Sequence, residues 1–385
     1  MRLSSWIYKS LFAISAIIIA ANVAIVLTGN TYLYRVLRHR GPSLFDYQYF
    51  PQRSIAKSNN PEHWEKAYNT IKLSDTLRAV LSHVGSKSFL VVRNDSIIYE
   101  EYWSDAGAHT YINPASVAKS YMGALIGVAI KEGYITDVND PVGKYLPHFN
   151  EGEKANMSIK DLLTMSSGFE WSESSSNPFS HVARAYYADN LWEVIENLNI
   201  KYPSGKYFQY SSGDSQTLGF LLEQATGIPV STYLQEKLWK PMGEPDSAMW
   251  SMDENQTMEK TFCCLNATTR QFARLGQLYL NKGNWNGKQL IDTSYIEAST
   301  KAASHIEDGN NPGQKVDFYG YHWWIYDKHE PVDVVYYARG IQGQYLIVIP
   351  ERNLVLVNMS ERNLGHYQNH PRDFYIILDE ALNLF

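Results

Sequence analysis

Apolar positions follow three regimes along the chain. Residues 11–28 pass without a single charge, and as a helix they would reach about 27 Å, close to the ~30 Å hydrocarbon core of a bilayer. That is longer than the ~7–15 apolar residues of a signal peptide. The only small-x-small triplet inside the run, Ala13-Ile14-Ser15, comes too early to follow an apolar region, and Gly29-Asn30-Thr31 just beyond it is a marginal cleavage site. The pattern predicts an N-terminal membrane anchor over residues 1–30, with a cleaved signal or a buried helix as the alternatives. Residues 31–70 carry no sustained period, contain Pro42 and Pro51, and read as a linker or arm.

From residue 71 onward, period-2 and period-3.6 segments alternate. Residues 88–93 and 97–102 are strand-like and joined by Asn94-Asp95-Ser96, a hairpin signal. A helix is predicted over 116–132, ended by Gly133. Shorter helices are predicted over 159–165, 217–226, 230–237 and 266–281, between polar loops. Strands return at 319–326, 334–338, 344–349 and 354–359, the last two joined by a turn at Pro350-Glu351-Arg352-Asn353. A helix over 374–384 closes the chain. Strands from both ends with helices between predict an α/β (α+β) body over 71–385. It would hold one mainly antiparallel sheet, flanked by the N- and C-terminal helices, with a helical insert at about 140–300 and a cleft where insert meets sheet.

Composition narrows this picture. The 385 residues suggest two or three units, or one large domain with an insertion. Ten Trp, 28 Tyr and 14 Phe exclude disorder throughout, and two cysteines exclude a disulfide framework. Those two, Cys263 and Cys264, are neighbours; a bond between them would be strained, so they say little about redox compartment. With 34 Lys+Arg against 40 Asp+Glu the net charge is −6, which offers no basic footprint for nucleic acid. Around the apolar run, Arg2 and Lys9 precede and Arg35, Arg38 and Arg40 follow. By one residue, that count favours the body on the cytoplasmic side.

Candidate chemistry is sparse. G-x-S-x-G, H-E-x-x-H, C-x-x-C, a phosphate-cradling Gly loop and a dinucleotide fingerprint are all absent, so no metal or organic cofactor is expected. His366 and His370 are four apart but read as two solvated loop histidines. The motif S-x-x-K occurs twice, at Ser54–Lys57 and at Ser116–Lys119. Only the second opens an apolar helix, SVAKSYMGALIGVAI. There Lys119, three residues on, can reach the Ser116 hydroxyl, burial favours the neutral amine, and free N–H groups at the helix start suit an oxyanion. The bland alternative is an ordinary helical turn with a snorkelling lysine. An acylated serine also needs a proton shuttle and a second N–H donor. Tyr210, in Tyr210-Ser211-Ser212-Gly213, offers the first and the Gln344 N–H, in Arg339-Gly340-Ile341-Gln342-Gly343-Gln344, the second.

In this order and spacing, these pieces resemble the penicillin-recognising serine hydrolases, the superfamily of class C β-lactamases, D,D-peptidases, related esterases and 6-aminohexanoate-dimer hydrolase. The resemblance covers residues 85–385 and extends to LLTMSSG from Leu162, YSSGDSQTLGFLLEQATG from Tyr210, FCCLNATTRQFARLGQLYL from Phe262 and PERNLVLV from Pro350. It implies Ser116 as nucleophile, Lys119 as its base, Tyr210 as acid–base, and the N–H groups of Ser116 and Gln344 as the oxyanion hole, with Ser212 and Gly343 facing substrate. Two departures matter. Ser212 stands where the Y-x-N element has Asn, and Ile341-Gln342-Gly343 stands where K-T-G or H-x-G is expected. The second removes the cation that would bind a β-lactam carboxylate, weighs against efficient antibiotic hydrolysis, and brings the chain closer to the 6-aminohexanoate-dimer hydrolase branch. The resemblance therefore implies cleavage of a small-molecule or peptide-like amide or ester, by an anchored body outside the cytoplasmic membrane. Acyl transfer to an alcohol or amine, and a non-catalytic module binding peptidoglycan fragments or a partner, are the rival readings.

Overall fold

Alternating side chains build the central sheet. The computed structural model describes residues 5–39, 41–66, 71–327 and 334–385; Arg2 and Arg40, used in the charge count, lie outside them. Six strands, β1 (Ser86–Arg93), β2 (Ser96–Tyr102), β3 (Trp324–Tyr326), β4 (Val335–Gly340), β5 (Gln344–Ile349) and β6 (Leu354–Ser360), form an antiparallel sheet in the order β3-β4-β5-β6-β1-β2. The short segment Glu65–Lys66 adds a parallel edge to β2. The first hairpin closes as its sequence predicts: Arg93 faces Ser96, and Asn94 and Asp95 between them both take positive φ, the geometry that matches strand twist in a two-residue turn.

Period 2 sends alternate residues to opposite faces. Phe89, Val91, Ile347, Leu354 and Leu356 meet Leu77 and Leu81 of helix α2 (Asp75–His83) and Phe374, Ile377 and Leu378 of helix α6 (Arg372–Leu384). Leu90, Val92, Leu346, Val348, Val355 and Val357 join the opposite core, with α3 (Ala118–Lys131) and α5 (Thr269–Leu280). Gly276 lets α5 seat on the sheet, because a Cβ there would come within 2.6 Å of Val355. The helix expected inside the insert therefore covers the sheet's second face. The insert keeps the shorter helices and α4 (Ser212–Thr226), which Gly227 ends with φ 69°. The strand expected at 319–326 shortens to Trp324–Tyr326.

Two further expectations change. The arm is a packed part of the body rather than a linker. Gln52–Ile55 pairs antiparallel with Ala248–Ser251 of the insert, and Leu44, Asp46, Phe50 and Ile55 are buried. His370 is no solvated loop residue: it is buried with its Nδ1 2.7 Å from the Tyr337 hydroxyl, while His366 is exposed. Cys263 and Cys264 are joined to each other.

N-terminal to all this stands α1 (Ser5–Leu27), whose Trp6–Leu27 stretch is long and apolar enough to cross a membrane and is not buried by the body. The next helix, Tyr32–His39, is fastened to the insert by Arg35, which pairs with Asp189 at 2.7 Å and donates from Nε to the Tyr187 carbonyl at 2.9 Å.

Candidate active site

The turn that presents Ser116 is set by its polar surroundings. Asn113 accepts from the Ala115 N–H at 3.0 Å, and Ala115 is held at φ 48°, a region non-glycine residues rarely occupy. A single 3-10 turn, Ala115–Val117, then passes into α3. The Asn113 amide in turn donates to Asp46 of the arm at 2.9 Å.

One turn further, Lys119 is 1% exposed. Its Nζ lies 2.9 Å from Ser116 Oγ, 3.0 Å from Ser212 Oγ and 2.9 Å from the Phe262 carbonyl oxygen. Among the described residues Lys119 forms no ion pair. The Tyr210 ring centroid is 5.1 Å from the same nitrogen, and the ring stacks on Trp324 with centroids 5.7 Å apart. Tyr210 is placed by its neighbours: the Gln209 N–H donates to the Met165 carbonyl at 2.8 Å, and Ser211 caps α4 by accepting from the Asp214 N–H at 3.3 Å. Ser116, Lys119, Tyr210 and Ser212 are thus gathered at one point from the 3-10 turn, α3, the segment just before α4 and the start of α4.

Gln344 and Gly343 are placed differently. Gln344 is buried, faces Gly340 across the β4–β5 hairpin, and spends its side-chain amide on the Ser360 carbonyl at 3.0 Å. Gly343 packs back on β6, where a Cβ would meet Ser360 Oγ at 2.4 Å and its carbonyl accepts from Asn358 at 2.9 Å. The hairpin residue that meets the Ser116 turn is Gly340, where a Cβ would stand 2.4 Å from the Pro114 carbonyl. Ile341, next in the chain, is exposed. Earlier on the same strand, the Arg339 guanidinium sits 3.6 Å from the Trp324 ring centroid.

Two residues that the sequence does not single out complete the surroundings. Glu173 reaches Ser212 with both oxygens, Oε1 2.5 Å from Ser212 Oγ and Oε2 3.0 Å from its N–H, and the Trp171 indole N–H also donates to it. Its loop, WSESSS, has no period that could mark it. Asp214, fully buried, accepts from Ser167 Oγ at 2.7 Å and so ties the Met165–Gly168 loop to α4. Burial pushes its carboxyl up to about 8. A carboxyl raised from its ordinary range on folding contributes stability at low pH that is lost as pH rises through the folded value. Thermal melts should therefore show the wild type losing ground to Asp214→Asn between about pH 4 and pH 8 and holding a constant difference above. A pH-independent difference would refute the assignment.

Comparison with known proteins accords with this geometry. The chain is 24% identical over 294 residues to 6-aminohexanoate-dimer hydrolase of Paenarthrobacter ureafaciens, covering 73% of this chain and 74% of the relative. Its fold superposes on the solved structure named "Putative 6-aminohexanoate-dimer hydrolase from Bacillus anthracis" with a TM-score of 0.75, at 21% identity over 88% of this chain and 92% of that one. A penicillin binding protein from Bacillus halodurans superposes with a TM-score of 0.61, at 16% identity over 81% of this chain and 100% of that one. The family model described as Beta-lactamase matches residues 75–380, and the chain belongs to that family.

Proposed function

We propose that the protein is a serine hydrolase that cleaves an amide or ester bond through an acyl-enzyme. The observation that carries this reading is the Lys119 Nζ placed 2.9 Å from Ser116 Oγ in a buried site where, among the described residues, no carboxylate pairs with it. Ser116 Oγ forms a bond to the substrate carbonyl carbon while its proton passes to Lys119. The tetrahedral oxyanion is held by the Ser116 N–H and a second donor on the β4–β5 hairpin. We assign that donor to the Ile341 N–H rather than to Gln344. Gly340 is the hairpin residue against the Pro114 carbonyl and Ile341 follows it directly, whereas Gln344 is engaged in the ladder opposite Gly340. Tyr210, beside Lys119, hands the proton to the leaving group as the carbonyl reforms. Water then attacks the acyl carbon by the reverse relay and releases Ser116. The likeness to 6-aminohexanoate-dimer hydrolase supports a linear amide as substrate, and an apolar α1 ahead of a penicillin-binding fold supports an anchored body outside the cytoplasmic membrane.

A fluorophosphonate probe and a fluorescent penicillin, each followed by peptide mapping, test the reading. The phosphonyl adduct is expected on the peptide that carries Ser116, with little penicillin adduct. No adduct on that peptide from either reagent overturns the acyl-enzyme route and leaves a binding module. Strong penicillin labelling overturns the linear-amide preference.

A further inference from the structure

We infer that Glu173 is a positioning residue for the proton transfer: by taking the Ser212 hydroxyl proton, it aims the Lys119 lone pair at Ser116. The inference rests on the acyl-enzyme reading above and follows from counting donors and acceptors. A carboxylate only accepts hydrogen bonds, and a serine hydroxyl has one proton to give. With Glu173 Oε1 2.5 Å away, that proton lies on the Ser212–Glu173 contact, so toward Lys119 the hydroxyl can only accept. The Phe262 carbonyl, the third neighbour of Nζ, can likewise only accept. A neutral lysine has two N–H groups and one lone pair. Ser212 and Phe262 take the two N–H groups, and the lone pair is left for the one neighbour that has a proton to give, Ser116.

The same arrangement serves the state after transfer. Once the Ser116 proton has moved to Nζ, the ammonium has three N–H groups and three acceptors at 2.9–3.0 Å, so no neighbour has to turn. Its charge then stands one hydroxyl away from the Glu173 carboxylate. Glu173 is itself fixed by the Trp171 indole and the Ser212 N–H, both donors that suit a carboxylate and conflict with a carboxamide's NH2. Among the described residues, the other titratable groups shown near Lys119 are Tyr210, across the ring contact, and His322, which burial and then the Lys119 charge push down to about 3, so that it stays neutral.

The test uses the rate of fluorophosphonate labelling at Ser116, from pH 5 to 10, for the wild type, Glu173→Gln, Ser212→Ala and the double variant. In Glu173→Gln the carboxamide must present its NH2 to Ser212, the hydroxyl is released to donate to Lys119, and it competes with Ser116 for the lone pair. The plateau rate should fall about 10–100-fold, the lower part of the range for losing an oriented acid–base partner. The acidic limb should also move to lower pH, because a nearby negative charge that favours the ammonium is gone. A merely structural role would lower the rate at every pH without moving the limb. In the Ser212→Ala background the Glu173→Gln plateau effect should shrink to within about twofold, since the two act as a unit.

A wild-type rate and limb in Glu173→Gln, or a full plateau effect without Ser212, overturns the inference while leaving the hydrolase reading intact. Absence of Ser116 labelling in the wild type overturns both. Should Glu173→Gln fail to fold by circular dichroism, Ser212→Ala decides alone: a plateau slowed about tenfold or more supports the relay, and one within about twofold refutes it.

Discussion

Lys119→Met is expected to fold and to lose about 10³-fold in the rate of Ser116 labelling and in turnover of any ester it accepts, within the range for removing a general base. That corresponds to about 4 kcal/mol of barrier. Methionine suits the experiment because it has nearly the length of lysine and fills irregular apolar space, and Lys119 packs beside the rings of Tyr210 and Phe262. The change strips the Phe262 carbonyl of a donor, at a cost of about 1–3 kcal/mol, and relieves the burial of an amine at a site 1% exposed. These effects oppose each other, so the melting temperature should stay within a few degrees of the wild type. The loss would then belong to the chemistry. A rate within tenfold of the wild type would show that Ser116 finds its base elsewhere, with Tyr210 the first alternative.

How much of this could be read from the sequence depends on the range of the interaction concerned. The sheet strands were legible because a two-sided core imposes its period locally: Leu90 and Val92 go one way, Phe89 and Val91 the other. Ser116 and Lys119 were legible as a pair because one helical turn brings them together without help from the rest of the fold. The helix Thr269–Leu280 was visible as a helix, with a capping box at Thr268 and Gln271, but its place on the sheet was not, since an apolar face does not name what it covers. Ser212 and Glu173 meet across 39 residues, and the glutamate comes from a polar loop in which the Trp171 indole N–H donates to it. In the hairpin, two glycines three apart offered two places for close approach. Only the folded hairpin shows that Gly340 meets the Pro114 carbonyl while Gly343 packs on Ser360. The arm shows the same limit most clearly. Nothing periodic marks residues 41–60, because what buries them lies in the insert, some two hundred residues away.

That arm should matter to the site, and Asp46→Ala should reveal it. Asp46 is 2% exposed and accepts from the Asn113 amide at 2.9 Å, from the Ser43 N–H at 3.0 Å and from the Tyr186 hydroxyl. Removing the carboxylate leaves the Asn113 amide and the Tyr186 hydroxyl buried without that acceptor. Each stranded donor costs about 1–3 kcal/mol, so a total of about 2–4 kcal/mol is expected after partial relaxation. For a body of this size that is a fall of roughly 3–6 °C in melting temperature. Asp46→Asn retains one acceptor oxygen and should lose less. Activity should fall as well, because Asn113 uses its other end to accept from the Ala115 N–H and so holds the left-handed turn that aims Ser116. The two readouts separate the roles of the contact. A lower melting point with labelling unchanged, measured well below the transition, would mean that the arm stabilises the body without shaping the Ser116 turn. A joint loss, partly restored in Asp46→Asn, would show the arm to be part of what positions Ser116.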